Sequence, residues 1–205
     1  LQLSVAELQL LGSGWSMITI GYEDTDGFAL AGTGPVFLGG ATRSEFTLLS
    51  PTKVFGSSIT VVDYTDNDRV LRINSPLSLI ALGDITIDNE LEVGEGVPEN
   101  LVVLAEAGTI LQNESVSAMT GEVLYEALNN VYQNANIYAN GSLITVVATT
   151  GEIVMADGTV TYAEGALVLL PPVPVKERQP AFDPLASAVI TYTAGTDAYI
   201  SILQA

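Results

Sequence analysis

The chain repeats a phrase, and the repeat limits what it can fold into. Leu77-Ser-Leu-Ile-Ala-Leu-Gly-Asp-Ile returns as Leu101-Val-Val-Leu-Ala-Glu-Ala-Gly-Thr-Ile, and again as Ile144-Thr-Val-Val-Ala-Thr-Thr-Gly-Glu-Ile. Each copy is a short apolar strand, an Ala, a turn glycine and a second short strand. Self-similarity at this period is the signature of a stack of coils in which each coil buries its apolar face against the next. Ala81 to Ala105 is a step of 24 residues and Gly83 to Gly108 a step of 25, and Gly141-Ser-Leu-Ile-Thr-Val against Gly165-Ala-Leu-Val-Leu-Leu is again a step of 24. One coil of a parallel β-helix, with three short strands and three turns, uses about that many residues.

The step from Ala105 to Ala148 is 43 residues, too long for one coil. The excess falls on Ser117 to Ala135, where Val123, Leu124, Ala127, Leu128 and Val131 follow a helical stripe, Thr120 can cap the start and Glu122 suits the first turn. The spacing therefore predicts a short helix inserted on one coil. The expected fold is all-β: a right-handed parallel β-helix (β-solenoid) with one short helical insertion and a C-terminal strand pair. Val103, Val146 and Leu167 are expected to point inward on stacked coils.

Four segments follow along the chain. Residues 1–35 read as N-terminal lead-in strands, and 36–170 as the coils, with the helical insertion near 117–135. Residues 171–184 read as a proline-rich linker, because the prolines of Pro171-Pro-Val-Pro-Val-Lys-Glu-Arg-Gln-Pro180 cannot donate to a ladder. Residues 185–205 read as two strands, Val189-Ile-Thr-Tyr-Thr and Tyr199-Ile-Ser-Ile-Leu, flanking the turn Ala194-Gly-Thr-Asp197. Apolar residues make up 48% of the chain and charged residues only 15%, which places it far from a disordered composition. No apolar run reaches the roughly 20 residues of a membrane helix. A start at Leu1 with no signal-like segment fits a processed or excised piece of something longer.

Charge and composition exclude several function classes. With 24 acidic against 6 basic residues, and no Lys or Arg between Arg72 and Lys176, the surface repels nucleic-acid backbones and anionic membranes. No His and no Cys means no Ser-His-Asp or Cys-His nucleophile, no disulfide and a poor donor set for zinc. Catalytic residues and organic cofactors are accordingly expected to be absent. A hydrolase or lyase of polysaccharides working through carboxylates remains the enzymatic alternative. Ca2+ is the one ion whose chemistry suits the chain: Asp63, Asp66 and Asp68 lie within six residues, and Asp24 and Asp26 form a shorter acidic loop. Neither has the full EF-hand spacing, and Asp also favours tight turns for backbone reasons. Asn113-Glu-Ser115 and Asn140-Gly-Ser142 match the glycosylation tripeptide. The tyrosines look scattered, with no stripe aligned to the repeat; Tyr125, Tyr132 and Tyr138 fall on and after the expected helix, as a cover over an open coil.

The phrases Gly83-Asp-Ile-Thr-Ile and Gly141-Ser-Leu-Ile-Thr-Val-Val-Ala-Thr-Thr-Gly-Glu-Ile-Val-Met-Ala-Asp-Gly-Thr-Val resemble the repeats of filamentous-haemagglutinin-type bacterial exoproteins. The likeness covers roughly residues 59–170. It implies a right-handed parallel β-helix that is secreted or held at the cell surface, where such proteins serve as adhesins or long stalks. The chain has no Asn-Pro-Asn-Gly type motif, so the resemblance implies shaft and not secretion domain. The expected role is a structural or adhesive segment of a large extracellular or cell-surface protein. Expected partners are other protein subunits, the rest of a larger chain or surface glycans, with no nucleic acid and no membrane insertion. A subunit of an extracellular filament or sheath, assembled through coil ends and terminal strands, is the structural alternative.

Overall fold

The computed structural model describes residues 1–3, 11, 14–22, 28–29, 34–38, 46–48, 50–62, 71–94, 100–119, 121–140, 143–163 and 189–204. Their strands run in triplets. After β1 (Gln2–Leu3) come β2 (Ile18–Ile20), β3 (Val36–Leu38) and β4 (Phe46–Leu48), then β5 (Thr52–Gly56), β6 (Ile59–Val61) and β7 (Leu71–Ile73). Four regular turns follow: β8 (Leu77–Ala81), β9 (Ile85–Ile87) and β10 (Leu91–Val93); β11 (Leu101–Ala105), β12 (Ile110–Gln112) and β13 (Val116–Ala118); β14 (Val123–Ala127), β15 (Val131–Gln133) and β16 (Ile137–Ala139); β17 (Leu143–Ala148), β18 (Ile153–Met155) and β19 (Val160–Ala163). The last triplet is β20 (Val189–Ala194), β21 (Ala198–Tyr199) and β22 (Ile202–Gln204).

From β2 onward every third strand belongs to the same sheet, β1 joins the sheet of β3, and every pairing is parallel. Side 1 runs β2-β5-β8-β11-β14-β17-β20, side 2 runs β1-β3-β6-β9-β12-β15-β18-β21, and side 3 runs β4-β7-β10-β13-β16-β19-β22. The molecule is a three-sided β-solenoid, as the repeat predicts. Because side chains alternate faces along a strand, a three-residue side presents two residues inward and one outward. Ile85-Thr-Ile87, Leu91-Glu-Val93 and Val116-Ser-Ala118 all show this, with the outer two buried and the middle one half-exposed. The repeated Ala closes side 1 at the corner. Ala81, Ala105, Ala127, Ala148 and Ala194 stack in register and are all buried, so only a small side chain fits where the chain turns.

The register corrects the sequence reading at three places. First, among the described residues there is no helix, and Ser117 to Ala135 carries the end of β13, all of β14 and β15. The 43-residue step is two short coils, because Ala105 pairs with Ala127 and Ala127 with Ala148. The helical stripe was an illusion of outward apolar residues: Val123, Tyr125 and Ala127 alternate into the core, while Leu124 is half-exposed and Leu128 exposed. Second, the neighbour of β17 on its C-terminal side is β20, and the expected strand at 165–170 lies outside the described residues. Third, Val189–Ala194 and Ala198–Tyr199 do not pair with each other. With β22 they lie against β17, β18 and β19 as one more triplet, and β1 and β2 likewise belong to the sheets of the coils. The linker at 171–184 and Leu167 lie outside the described residues.

Polar corner residues tie each coil to the next. The amides of Thr109, Glu122, Glu152 and Val160 donate to the side-chain oxygens of Asp84 (2.8 Å), Asn100 (3.0 Å), Asn130 (2.9 Å) and Asn136 (2.8 Å) of the preceding coil. At another corner Asn113 Nδ2 donates to Asp88 Oδ1 at 2.7 Å, and Asn134 Nδ2 to Asn113 Oδ1 at 2.8 Å. These Asn and Asp residues satisfy amides that no strand reaches. The turn glycine is steric: a Cβ on Gly108 would sit 2.2 Å from the carbonyl carbon of Gly83 in the coil below.

Candidate functional site

Inside a largely aliphatic core lies a polar cluster at the corner where side 2 meets side 3. Gln112 and Gln133 stack in register at the ends of β12 and β15 and are fully buried, positions that Ile87 and Met155 fill in the coils on either side. Tyr192 reaches the same corner from the middle of side 1. Its phenol donates to Gln133 Oε1 at 2.8 Å, Gln133 Nε2 donates to Thr161 Oγ1 at 2.9 Å, and Thr161 Oγ1 lies 2.7 Å from the Tyr192 oxygen. Since the Tyr192 proton is committed to Gln133, the Thr161 hydroxyl donates to Tyr192 and the three bonds close into a ring. Each group is both donor and acceptor, so each bond polarises the next. Gln112 Nε2 donates to the carbonyls of Glu114 (3.1 Å) and Asn136 (3.0 Å), but among the described residues its Oε1 has no partner, and neither does the hydroxyl of Tyr125.

Register explains the difference between the two buried tyrosines. Val103, Tyr125, Val146 and Tyr192 form one inward column on side 1. Tyr192 finds Gln133 two coils back and Thr161 one coil back. The same steps from Tyr125 lead to Ile87 and Val116, which offer no oxygen or nitrogen. Burial raises the pKa of Tyr192, against a smaller lowering by the Thr161 hydroxyl. Burial also raises that of Tyr125, with a contribution from Tyr192. Both phenols therefore stay protonated in the native state above the ordinary tyrosine value of about 10, where the unfolded chain is already ionised. The unfolded state then binds fewer protons, so stability is intact below about pH 10 and falls as pH rises past it. In a titration followed by tyrosinate absorbance, two of the eight tyrosines should ionise only as the β signature in circular dichroism is lost. Ionisation of all eight before unfolding would contradict the buried placement.

The outer surface corrects a further expectation. Some tyrosines that look scattered in sequence share a column in space. On side 2 the outward residues Phe37, Thr60, Thr86, Leu111, Tyr132, Val154 and Tyr199 form one column that carries no charge. On side 3 Tyr138 and Tyr162 are direct neighbours on adjacent coils, further along the same outward column as Arg72 and Glu92, whose Nε and Oε2 are 2.9 Å apart. Tyr125 is a core residue and not a cover. Tyr132 lies 3.3 Å from Glu152, and desolvation followed by that carboxylate raises its pKa. The signal that exposes these columns is position within the three-residue side, not spacing along the chain.

Among the described residues no candidate catalytic or metal residues come together. The Ca2+ candidates Asp63, Asp66, Asp68, Asp24 and Asp26 lie outside the described residues, and among the described residues no three His, Cys, Asp or Glu are placed to hold a metal ion. Asn113 and Asn140 are both exposed at corners, and Asn113 is held in the Asp88–Asn134 ladder. No helix among the described residues is long and apolar enough to cross a membrane. Comparison with protein-family models, with curated proteins and with solved structures found no match.

Proposed function

We propose that this chain is a structural or adhesive segment of a large secreted or cell-surface protein, a length of rigid shaft that holds other parts at a distance. The observation that carries this reading is the continuity of the three ladders: each coil repeats its neighbour, with inward residues given to packing and corner residues to joining coils. A solenoid of this kind gains stability from nearest-neighbour contacts and extends in one direction, which suits a spacer. The acidic surface keeps such shafts apart from one another and from anionic membranes. The repeat-level resemblance to filamentous-haemagglutinin-type exoproteins supports the same role and an extracellular location.

The competing reading is a carbohydrate-active enzyme, which requires two carboxylates facing one another across a groove at roughly 5 to 10 Å. Incubation with neutral and acidic polysaccharides, assayed for new reducing ends and for unsaturated products, separates the two. The shaft reading expects no turnover at any pH from 4 to 9. Product formation abolished by replacing one carboxylate with its amide would overturn it.

A further inference from the structure

We propose that residues 28–29 act as a strap across the outside of side 1, which locks the coils of β2, β5, β8 and β11 into one unit and keeps an apolar surface out of water. The inference goes beyond the shaft reading and does not depend on it. A hydrogen bond supplies the first argument. Ala29 belongs to the first of these coils by sequence, nine residues past the end of β2 and seven before the start of β3. Its amide donates to Glu106 Oε1 at 2.7 Å. Glu106 directly follows β11, so the bond spans the three ladder steps of β2-β5-β8-β11, about 14 Å along the stack. The corner bonds described above join adjacent coils and the Tyr192 phenol reaches back two, so the Ala29–Glu106 contact reaches further than any of these.

Burial supplies the second argument. The longer strands of side 1 present a second outward column, in which Phe55, Ile80, Leu104 and Glu126 stand in register. Outward residues of a bare coil face water, yet Phe55 is 0% exposed and Ile80 7%. Leu104 is half-buried and Glu126 is exposed, so the cover ends at the coil that carries Glu106. Ala29 is itself buried and packs with Phe55 and Ile80 in an apolar cluster separate from the main core, with Leu82 and Leu104 against it. Gly21, directly after β2, has a φ of +92°, and a Cβ there would run into the carbonyl of Phe55. Glycine thus lets the chain leave β2 close over one of the residues that the strap covers.

The strap changes how the stack opens. A solenoid held by nearest-neighbour contacts alone unravels coil by coil from its ends. Here β5 and β8 share one cover, held by a charged acceptor on a backbone amide, a stronger bond than one between neutral groups. The two coils should therefore open together, and only with release of Ala29 from Glu106. Release uncovers Phe55, Ile80, Leu82 and Leu104, a continuous apolar surface whose contact with water is unfavourable. Closed, the strap hides that face; open, it presents it.

Hydrogen exchange followed by mass spectrometry, on the parent chain and on Glu106→Ala, Glu106→Gln and Glu126→Ala, tests this. Glu106→Ala removes the acceptor, and exchange in peptides covering β5 and β8 should become at least about tenfold faster. Peptides covering β17, β18 and β19 should keep the parental rate, and an apolar fluorescent dye should bind the variant more strongly than the parent. Glu106→Gln keeps an oxygen for the Ala29 amide and should stay close to the parent. Glu126→Ala, at the exposed end of the same column, should match the parent. Should Glu106→Ala fail to show the parental circular dichroism, exchange of the parent chain in rising urea decides instead, since β5, β8 and the peptide bearing Ala29 must open in one step. Unchanged exchange in Glu106→Ala, a loss of protection spread equally to β17, β18 and β19, or separate opening of β5 and β8 in the parent would each overturn the proposal.

Discussion

Val146→Asp is expected to cost the chain about 3 to 5 kcal/mol, because it places an unpaired carboxylate in the dry centre of the stack. Val146 is fully buried in the hydrophobic core and stands in the inward column between Tyr125 and Tyr192. The nearest polar groups on that column are phenols, not cations. The new acid therefore either ionises without a partner or takes up a proton at the cost of a raised pKa. Chemical denaturation followed by circular dichroism should show a midpoint far below that of the parent chain. An unchanged midpoint would mean that residue 146 faces water, and the register of side 1 would be wrong.

Tyr192→Phe and Tyr125→Phe should act with opposite sign although both remove one buried hydroxyl from the same column. Losing the Tyr192 hydroxyl leaves Gln133 Oε1 without a donor and Thr161 without an acceptor, deep in the core. Two stranded polar groups amount to roughly 2 to 4 kcal/mol of destabilisation. The Tyr125 hydroxyl has no partner to strand, so its removal relieves a desolvation cost and should be neutral or stabilising by about 1 kcal/mol. Equilibrium denaturation of the two variants side by side gives the comparison. Equal losses from both would show that Tyr125 has a bond partner and that the polar ring is not special.

Much of the fold was legible because the packing problem is the same in every coil. The Ala and Gly that mark the repeated phrase are dictated by corners: Ala81 and Ala105 sit where a larger side chain cannot turn inward, and Gly83 and Gly108 where two backbones nearly touch. What misled was the outward face. Leu124 and Leu128 are apolar yet lie on or near the surface, and with Val123 and Ala127 they imitate the stripe of a helix in a coil that is two or three residues shorter than its predecessors. The C-terminal strands were recognised, but a tight-turn hairpin and two sides of one coil look alike in local sequence. Only their pairing with β17 and β18 tells them apart.

The candidate site was far less legible, for a physical reason. Gln112 and Gln133 occupy the third position of a three-residue side, where neighbouring coils place Ile87 and Met155, and a glutamine in sequence reads as an outward residue. Its burial is tolerable only because Tyr192 and Thr161, 59 and 28 residues further on, supply the missing partners of Gln133. Such a match across coils has no local signal. The same holds for the outward columns: Tyr132 and Tyr199 come into line through Val154, although the chain between them varies in length from coil to coil.

The central claim is that the coils run without interruption through residues 117–135. Cysteines placed at Thr60 and Val154, both outward on side 2, permit a direct test, since the chain has no other cysteine to label. The register puts Thr86, Leu111 and Tyr132 between them, so the two positions are four ladder steps apart. At about 4.8 Å per step the backbone separation is about 19 Å. Pulsed electron-spin resonance on the doubly labelled chain should give a single narrow distance distribution consistent with that separation. A distribution shorter by one full step, near 14 Å at the backbone, would mean that 117–135 leaves the stack.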